Sequence, residues 1–299
     1  INELVSAVRA KHPNVIFYGE GWTMATEMTK PDVAMATQHN AYMTPNFAYF
    51  SDTLRDVLRG YVFDDHAYGY VAGAQGQEEQ LKKCFMARPG WCPGPTQTIN
   101  YASCHDNMSL FDRLTLSTPD ASFADRVRMN NLAAGIYLLS QGVPFMQAGE
   151  EMLRSKPDSK GGYVENSFKS SDKINSIKWN LLDSKIYRDT LAYYKGLIAF
   201  RKAHPVLRLT SSYDILSHVV PVSCNNPLMT AFHICGDVPG ETAEEMFLVF
   251  NANDSVKTVS LPAGNWNVCI NGEKAGLEPL ATVSGELKVP AISAMVLVK

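Results

Sequence analysis

The stretch Val15-Ile-Phe-Tyr-Gly-Glu-Gly-Trp22 sets the reading of the whole chain. Four apolar or aromatic residues follow the helix-breaking His12-Pro13-Asn14, which predicts a short buried strand. Glycines on both sides of Glu20 then leave one carboxyl group at the strand's end, two residues before an aromatic ring. Upstream, Leu4, Val5 and Val8 share a helical stripe, so Asn2 to Lys11 reads as helix. The pattern opens at Ile1 within that stripe, as if cut from a longer chain.

Downstream the alternation repeats. Phe47-Ala-Tyr-Phe50 precedes a helical Thr53 to Arg59, Thr98-Ile-Asn-Tyr101 precedes Ala124 to Ser140, and Val143-Pro-Phe-Met146 precedes Asp189 to Lys202. Strands alternating with helices predict a parallel α/β sheet. Each strand runs into a carboxylate: Glu20, Asp52, Asp106, and Glu150 with Glu151. The carboxyl ends of parallel strands lie on one face, so these groups are expected to converge there. Asp52, standing just before a helix, reads equally as a helix-terminus carboxylate. Beyond Pro205 the helical stripes stop, and short runs such as Phe247 to Phe250, Val256 to Leu261 and Met295 to Val298 alternate with Asn, Gly and Pro turns. Residues 1–205 are therefore expected to form the α/β part and 206–299 an all-β sandwich. Within the α/β part, Arg154 to Lys178, rich in Ser, Lys, Asp and Gly, reads as a long loop over the carboxyl-end face, of a length that is usually functional or mobile.

Composition narrows the function. The 299 residues carry 27 basic and 30 acidic side chains, a net charge of -3, with no basic stripe to follow a phosphate backbone. Nucleic acid is not an expected partner. No apolar run reaches the roughly 20 residues needed to span a bilayer, so no membrane segment is expected. Six scattered cysteines show neither C-x-x-C spacing nor a disulfide framework, and buried free thiols are the expectation. No oxygen-rich loop has Ca²⁺-ligand spacing, and neither an essential metal nor a cofactor is expected.

Glycosidic hydrolysis needs a proton donor for the leaving oxygen and a negative charge facing the oxocarbenium-like centre, both supplied by carboxyl groups. Glu20 and Asp106 suit these tasks. Apolar walls around Glu20 would raise its pKa, as a general acid requires. Trp22 offers a face for a pyranose ring, although a core tryptophan would look the same in sequence. His105 precedes Asp106 in Tyr101-Ala-Ser-Cys-His-Asp-Asn107 and can hydrogen-bond sugar hydroxyls.

The runs Tyr18 to Trp22, Tyr101 to Asn107 with Leu110-Phe-Asp112, and Leu139-Ser-Gln-Gly-Val-Pro-Phe-Met-Gln-Ala-Gly-Glu-Glu-Met-Leu-Arg-Ser-Lys156 resemble the barrel motifs of the α-amylase superfamily, and most of all its type I pullulanases. Pro45 to Asp56, Val62-Phe-Asp64 and Asn166 to Asn175 leading to Trp179 agree, so the likeness covers about the first 200 residues. The resemblance implies a (β/α)8 TIM barrel represented by its C-terminal half, strands five to eight, and a retaining double displacement. It implies Glu20 as general acid/base, Asp106 as the transition-state-stabilising aspartate, and His105 as a sugar-binding neighbour. Trp22 and Asn107 match branch-point subsites, and Arg154 is a further binding candidate. Asparagine after His-Asp suits pullulanases, where isoamylase-type debranchers usually show glycine. Cys104 stands where simple α-amylases place asparagine.

The family's nucleophilic aspartate lies in a motif resembling G-F-R-F-D, which this sequence does not contain, and Ile1 to Lys11 matches the helix that follows that motif. An α-glucan is the expected partner, and the sheet is expected to be completed by the missing N-terminal half of a barrel or by another copy. The 299-residue chain alone is expected to be inactive. Other readings are a superfamily enzyme acting on α-1,4 bonds and a non-catalytic glucan-binding module. Compartment stays open: the cysteines lean towards the cytoplasm, and a polymer substrate argues for export.

Overall fold

A computed structural model describes residues 1–24, 30 and 32–299. Helix α1 (Asn2–Arg9) leads into strand β1 (Phe17–Gly19), followed by β2 (Phe47–Phe50), α2 (Asp52–Arg59), α3 (Glu78–Phe85), β3 (Thr98–Asn100), α4 (Leu110–Ser117), α5 (Phe123–Leu139) and β4 (Val143–Pro144). The four strands lie side by side in chain order, all parallel, with Phe17 opposite Phe47, Tyr49 opposite Thr98 and Ile99 opposite Val143. Rings from all four strand ends meet edge to face: Tyr18 on Phe50 at 5.7 Å, and Phe50 on both Tyr101 and Phe145 at 5.0 Å. Such contacts add to burial at Tyr101, while Tyr18 at the sheet edge stays exposed.

Serines start the helices that matter most for the site. Ser51, Ser109 and Ser122 each accept a backbone N–H three residues on, capping α2, α4 and α5. A short helix α6 (Asp172–Asn175) and the long α7 (Lys185–Ala203) complete the α/β layer. At the end of α5, the buried guanidinium of Arg201 on α7 donates to the carbonyls of Leu138, Ser140 and Gly142. Those of Leu138 and Ser140 are carbonyls that the end of a helix leaves without partners, and Gly142 lies in the turn that follows. Between α2 and α3 the chain makes an excursion over residues 61–68. It is closed by Gly60 and Gly69, whose backbones touch: a Cβ on Gly69 would stand 2.5 Å from the Gly60 nitrogen.

Helix α8 (Ser212–His218) corrects the expectation that helices end at Pro205; Ser211 caps it, accepting from the Tyr213 and Asp214 amides. Strands β5 (Val219–Val222), β6 (Met229–Cys235), β7 (Glu245–Asn251), β8 (Lys257–Ser260), β9 (Trp266–Ile270), β10 (Ala281–Val283), β11 (Glu286–Val289) and β12 (Ser293–Val298) follow. Six of them form one antiparallel sheet in the order β10-β9-β12-β7-β6-β5, with β8 and β11 paired across from it. The period-two alternation explains why β7 is buried along nearly its whole length. Met246, Leu248 and Phe250 face the helices in one core, while Phe247 and Val249 join Val259, Leu261 and Leu287 in a second core beneath β8 and β11. One continuous core therefore joins the α/β layer to the sandwich. Among the described residues, no helix is long and apolar enough to cross a membrane.

Candidate functional site

Three side chains from two strand ends come together. Glu20 follows β1; His105 and Asp106 follow β3. Each offers one atom within 4.8 Å of the others. His105 Nε2 lies 3.3 Å from Asp106 Oδ1. Gly21, beyond Glu20, adopts a left-handed φ of +77°, and a Cβ there would stand 2.6 Å from the Tyr49 ring, so glycine lets the chain turn tightly over β2. Its carbonyl accepts from the Gln38 amide at 3.1 Å. Trp22 is half-buried in the following segment. Glu20 and His105 are exposed and Asp106 is half-buried, so the apolar enclosure expected around Glu20 is not built by the described residues. The trio's spacing would also let one cation touch all three groups, but exposed carboxylates so spaced are not by themselves a metal centre.

The other strand-end carboxylates do not join them, which corrects the expectation that all four converge. Asp52 is held at the start of α2, its Oδ1 accepting from the Thr53 amide at 2.9 Å and from Gln38 Nε2 at 3.0 Å. Glu150 is buried and accepts hydroxyl bonds from Ser103 at 2.7 Å, Tyr137 at 2.7 Å and Tyr194 at 3.1 Å. Burial pushes its carboxyl pKa up, against the pull of those three hydroxyls. Glu151 accepts from the Gly149 amide. The strand-end rule placed these residues at the right edge of the sheet, but local hydrogen-bond demand decided where their side chains went.

Asn107 sits beside the trio with a left-handed φ of +60°. Its amide donates to Asn166 Oδ1 at 2.7 Å, its Nδ2 donates to Glu165 Oε1 at 3.0 Å, and its carbonyl accepts from the Asn166 amide at 3.3 Å. Further along the same segment, Ser109 Oγ donates to the Arg154 carbonyl at 2.7 Å. The buried Asp112 accepts from Ser155 Oγ and from the Lys156 amide. Burial raises the Asp112 pKa, and these bonds oppose the rise. Lys156, itself buried, reaches Ser167 Oγ. The long loop is thus stitched along residues 107–112. Arg154 contributes to the loop itself, its guanidinium donating to the backbone carbonyls of Ala148 and Asn175. Glu165 and Asn166 were not singled out from sequence as site residues; Glu165 had only its membership of that loop as a signal, and Asn166 opens a run that agrees with the resembled family.

Arg59 of α2 ties the neighbouring excursion to this region, donating to the Met108 carbonyl at 2.9 Å. From α4, Arg113 donates to the carbonyls of Tyr61, Asp64 and Ala67 and so fixes the excursion's path.

A parallel β/α layer with a two-strand acidic site, joined to an antiparallel sandwich, places the chain in the class of barrel-type proteins with an appended all-β domain. A family model described as "Pullulanase, all-beta domain" matches residues 215–274. Pullulanase of Bacillus subtilis (strain 168) is 35% identical over 219 residues, covering 71% of this chain and 29% of that protein. Among solved structures, pullulanase from Bacillus acidopullulyticus superposes with a TM-score of 0.92 at 31% identity, covering 100% of this chain and 36% of that one. Pullulanase from Paenibacillus barengoltzii, in complex with maltohexaose and α-cyclodextrin, gives 0.87 at 33% identity, covering 99% of this chain and 45% of that one. In the region it spans, the chain is similar in sequence and fold to the pullulanases. It spans 29% to 45% of the length of these relatives.

Proposed function

We propose that this chain is the acid/base-bearing part of a glycoside hydrolase that cleaves α-1,6-glucosidic branch linkages in pullulan and related α-glucans with retention of configuration. The observation that carries the reading is the meeting of Glu20, His105 and Asp106, from the ends of β1 and β3, within 4.8 Å. Glu20 protonates the departing glycosidic oxygen and then takes a proton from water. Asp106, a fixed negative charge, stabilises the oxocarbenium-like transition state, and His105 bonds a sugar hydroxyl. Trp22 and Asn107 line the branch point. Arg154 acts at a distance, by holding the loop, rather than by touching the glucan. The nucleophile comes from outside these 299 residues.

The sheet supports the same reading. β1 and β4 are its two edges, and β1 with its approach exposes Ile16 and Tyr18, 59% and 50% accessible. Barrels remove such edges by closing. Four further strands, from a longer parent or from another copy, would pair with both edges and cover the ring contacts at the strand ends.

The test compares pullulan hydrolysis by the 299-residue chain with hydrolysis by a chain that also carries the nucleophile-bearing half. The shorter chain should release no maltotriose. The longer one should, and Glu20→Gln in it should lower kcat by about 10²–10⁴-fold, the usual worth of a positioned general acid. Undiminished activity in Glu20→Gln would overturn the assignment, and hydrolysis of amylose but not pullulan would move the chain to α-1,4 chemistry.

A further inference from the structure

We propose that Glu165 and Asn166 are positioning residues for the site: they hold Asn107 in its left-handed conformation and thereby fix the direction in which the His105–Asp106 pair leaves β3. This rests on the hydrolase reading for its consequence, but its geometry stands on its own.

A non-glycine residue with positive φ is strained unless its surroundings over-determine it. Asn107 is over-determined from one source. Its amide, side-chain amide and carbonyl all bond to two consecutive residues more than fifty positions away, at 2.7, 3.0 and 3.3 Å. Asn166 is itself left-handed, with φ of +50°. The two asparagines therefore form a reciprocal pair, each giving its amide to the other residue, by way of one side-chain oxygen and one main-chain oxygen. Glu165 adds a charged acceptor, and hydrogen bonds to charged groups are stronger than neutral ones. The loop cannot drift away from this contact, because Asp112 anchors its start through Ser155 and Lys156 and Lys156 anchors it again at Ser167. Asp106 is the residue immediately before Asn107, so the Asn107 backbone and the peptide that carries the Asp106 carboxylate share one plane and a change in one is passed to the other. Misplacing a catalytic group by about 1 Å is costly in enzymes.

Three variants separate positioning from bulk stability. Glu165→Ala removes the acceptor; Glu165→Gln keeps an oxygen for Asn107 Nδ2; Asn166→Gly removes Oδ1 while tolerating the left-handed backbone. In the 299-residue chain, amide hydrogen exchange at Asn107 should speed up about tenfold or more in Asn166→Gly and Glu165→Ala, and by much less in Glu165→Gln, with the denaturation midpoint unchanged in all three. In the longer, hydrolytically competent chain, Glu165→Ala should lower kcat about tenfold or more with little change in KM, and Glu165→Gln should restore most of it. Unchanged Asn107 exchange in both the Ala and Gly variants overturns the proposal, as does a Glu165→Gln variant as impaired as Glu165→Ala. If the longer wild-type chain hydrolyses nothing, the hydrolase reading falls while the exchange data still decide the clamp.

Discussion

Carboxylates that look alike in sequence have parted company at the level of single residues. Glu20 and Glu150 both follow an apolar strand, yet one is exposed in the trio and the other is buried under three hydroxyls. Nothing local in the sequence separates them, because the hydroxyls that claim Glu150 lie on α5 and α7 and after β3. The distinction has a pH signature. A carboxyl whose folded pKa is raised binds its proton more tightly in the native state, so its contribution to stability is full below the unfolded value and is lost as pH rises through the folded one. Glu150→Gln, neutral at every pH, should therefore match or exceed the wild type in urea midpoint near pH 7 and lose that advantage below the ordinary value of 4.5. A Glu150→Gln variant much weaker at pH 7 would mean that the three hydroxyls hold an ionised carboxylate in the native state. Glu20 and Asp106 could be singled out as strand-end carboxylates within the Tyr18 to Trp22 and Tyr101 to Asn107 motifs, and the structure brings the two together. Glu165 could not, since its partner Asn107 is brought to it only by tertiary structure.

Among the secondary-structure elements, the four parallel strands were legible as apolar runs and the long helices α5 and α7 as stripes; α3, α4 and α6 were not read from sequence, and α8 was missed where only strands were expected. Its sequence Ser-Tyr-Asp-Ile-Leu-Ser-His buries Ile215 but exposes Tyr213 and Leu216, so no clean face announces it. Helix α7 carries a subtler feature. Gly196 lies in its interior, where alanine is ordinarily better by about 1 kcal/mol. Here a Cβ would stand 1.9 Å from the Ala275 carbonyl oxygen, because the turn after β9 seats directly on the helix. Gly196→Ala should thus destabilise the chain by about 1–3 kcal/mol, as overpacking does, despite its better helix propensity. Chemical denaturation checks it; an equal or higher midpoint would show that the turn yields freely.

For the molecule as a whole, the α/β layer and the sandwich share one core, and a buried histidine–glutamate contact helps to join them. His204, at the end of α7, contacts Glu241 at 2.6 Å, and Glu241 also accepts from the amides of Val206 and Ala243. Burial opposes ionisation of Glu241, but these partners hold its pKa below the ordinary value. A depressed carboxylate contributes stability at neutral pH that is lost as pH falls through its folded pKa. Glu241→Gln should accordingly be less stable than the wild type at pH 7, with the gap closing below pH 4.5. A gap that stays constant down to acid pH in paired urea titrations would assign the loss to packing instead. The excursion over residues 61–68 has a different kind of importance. Its two ends touch at Gly60 and Gly69, and Arg113 grips it through the carbonyls of Tyr61, Asp64 and Ala67, so the fold holds its backbone at the neck and at three further points and leaves the Tyr61 and Phe63 side chains free. Such a segment is a cassette of fixed frame and variable face: descendants of this chain, or an engineer, could exchange the outward-turned Tyr61 and Phe63 side chains while the backbone bonds and the parallel strands stay as they are.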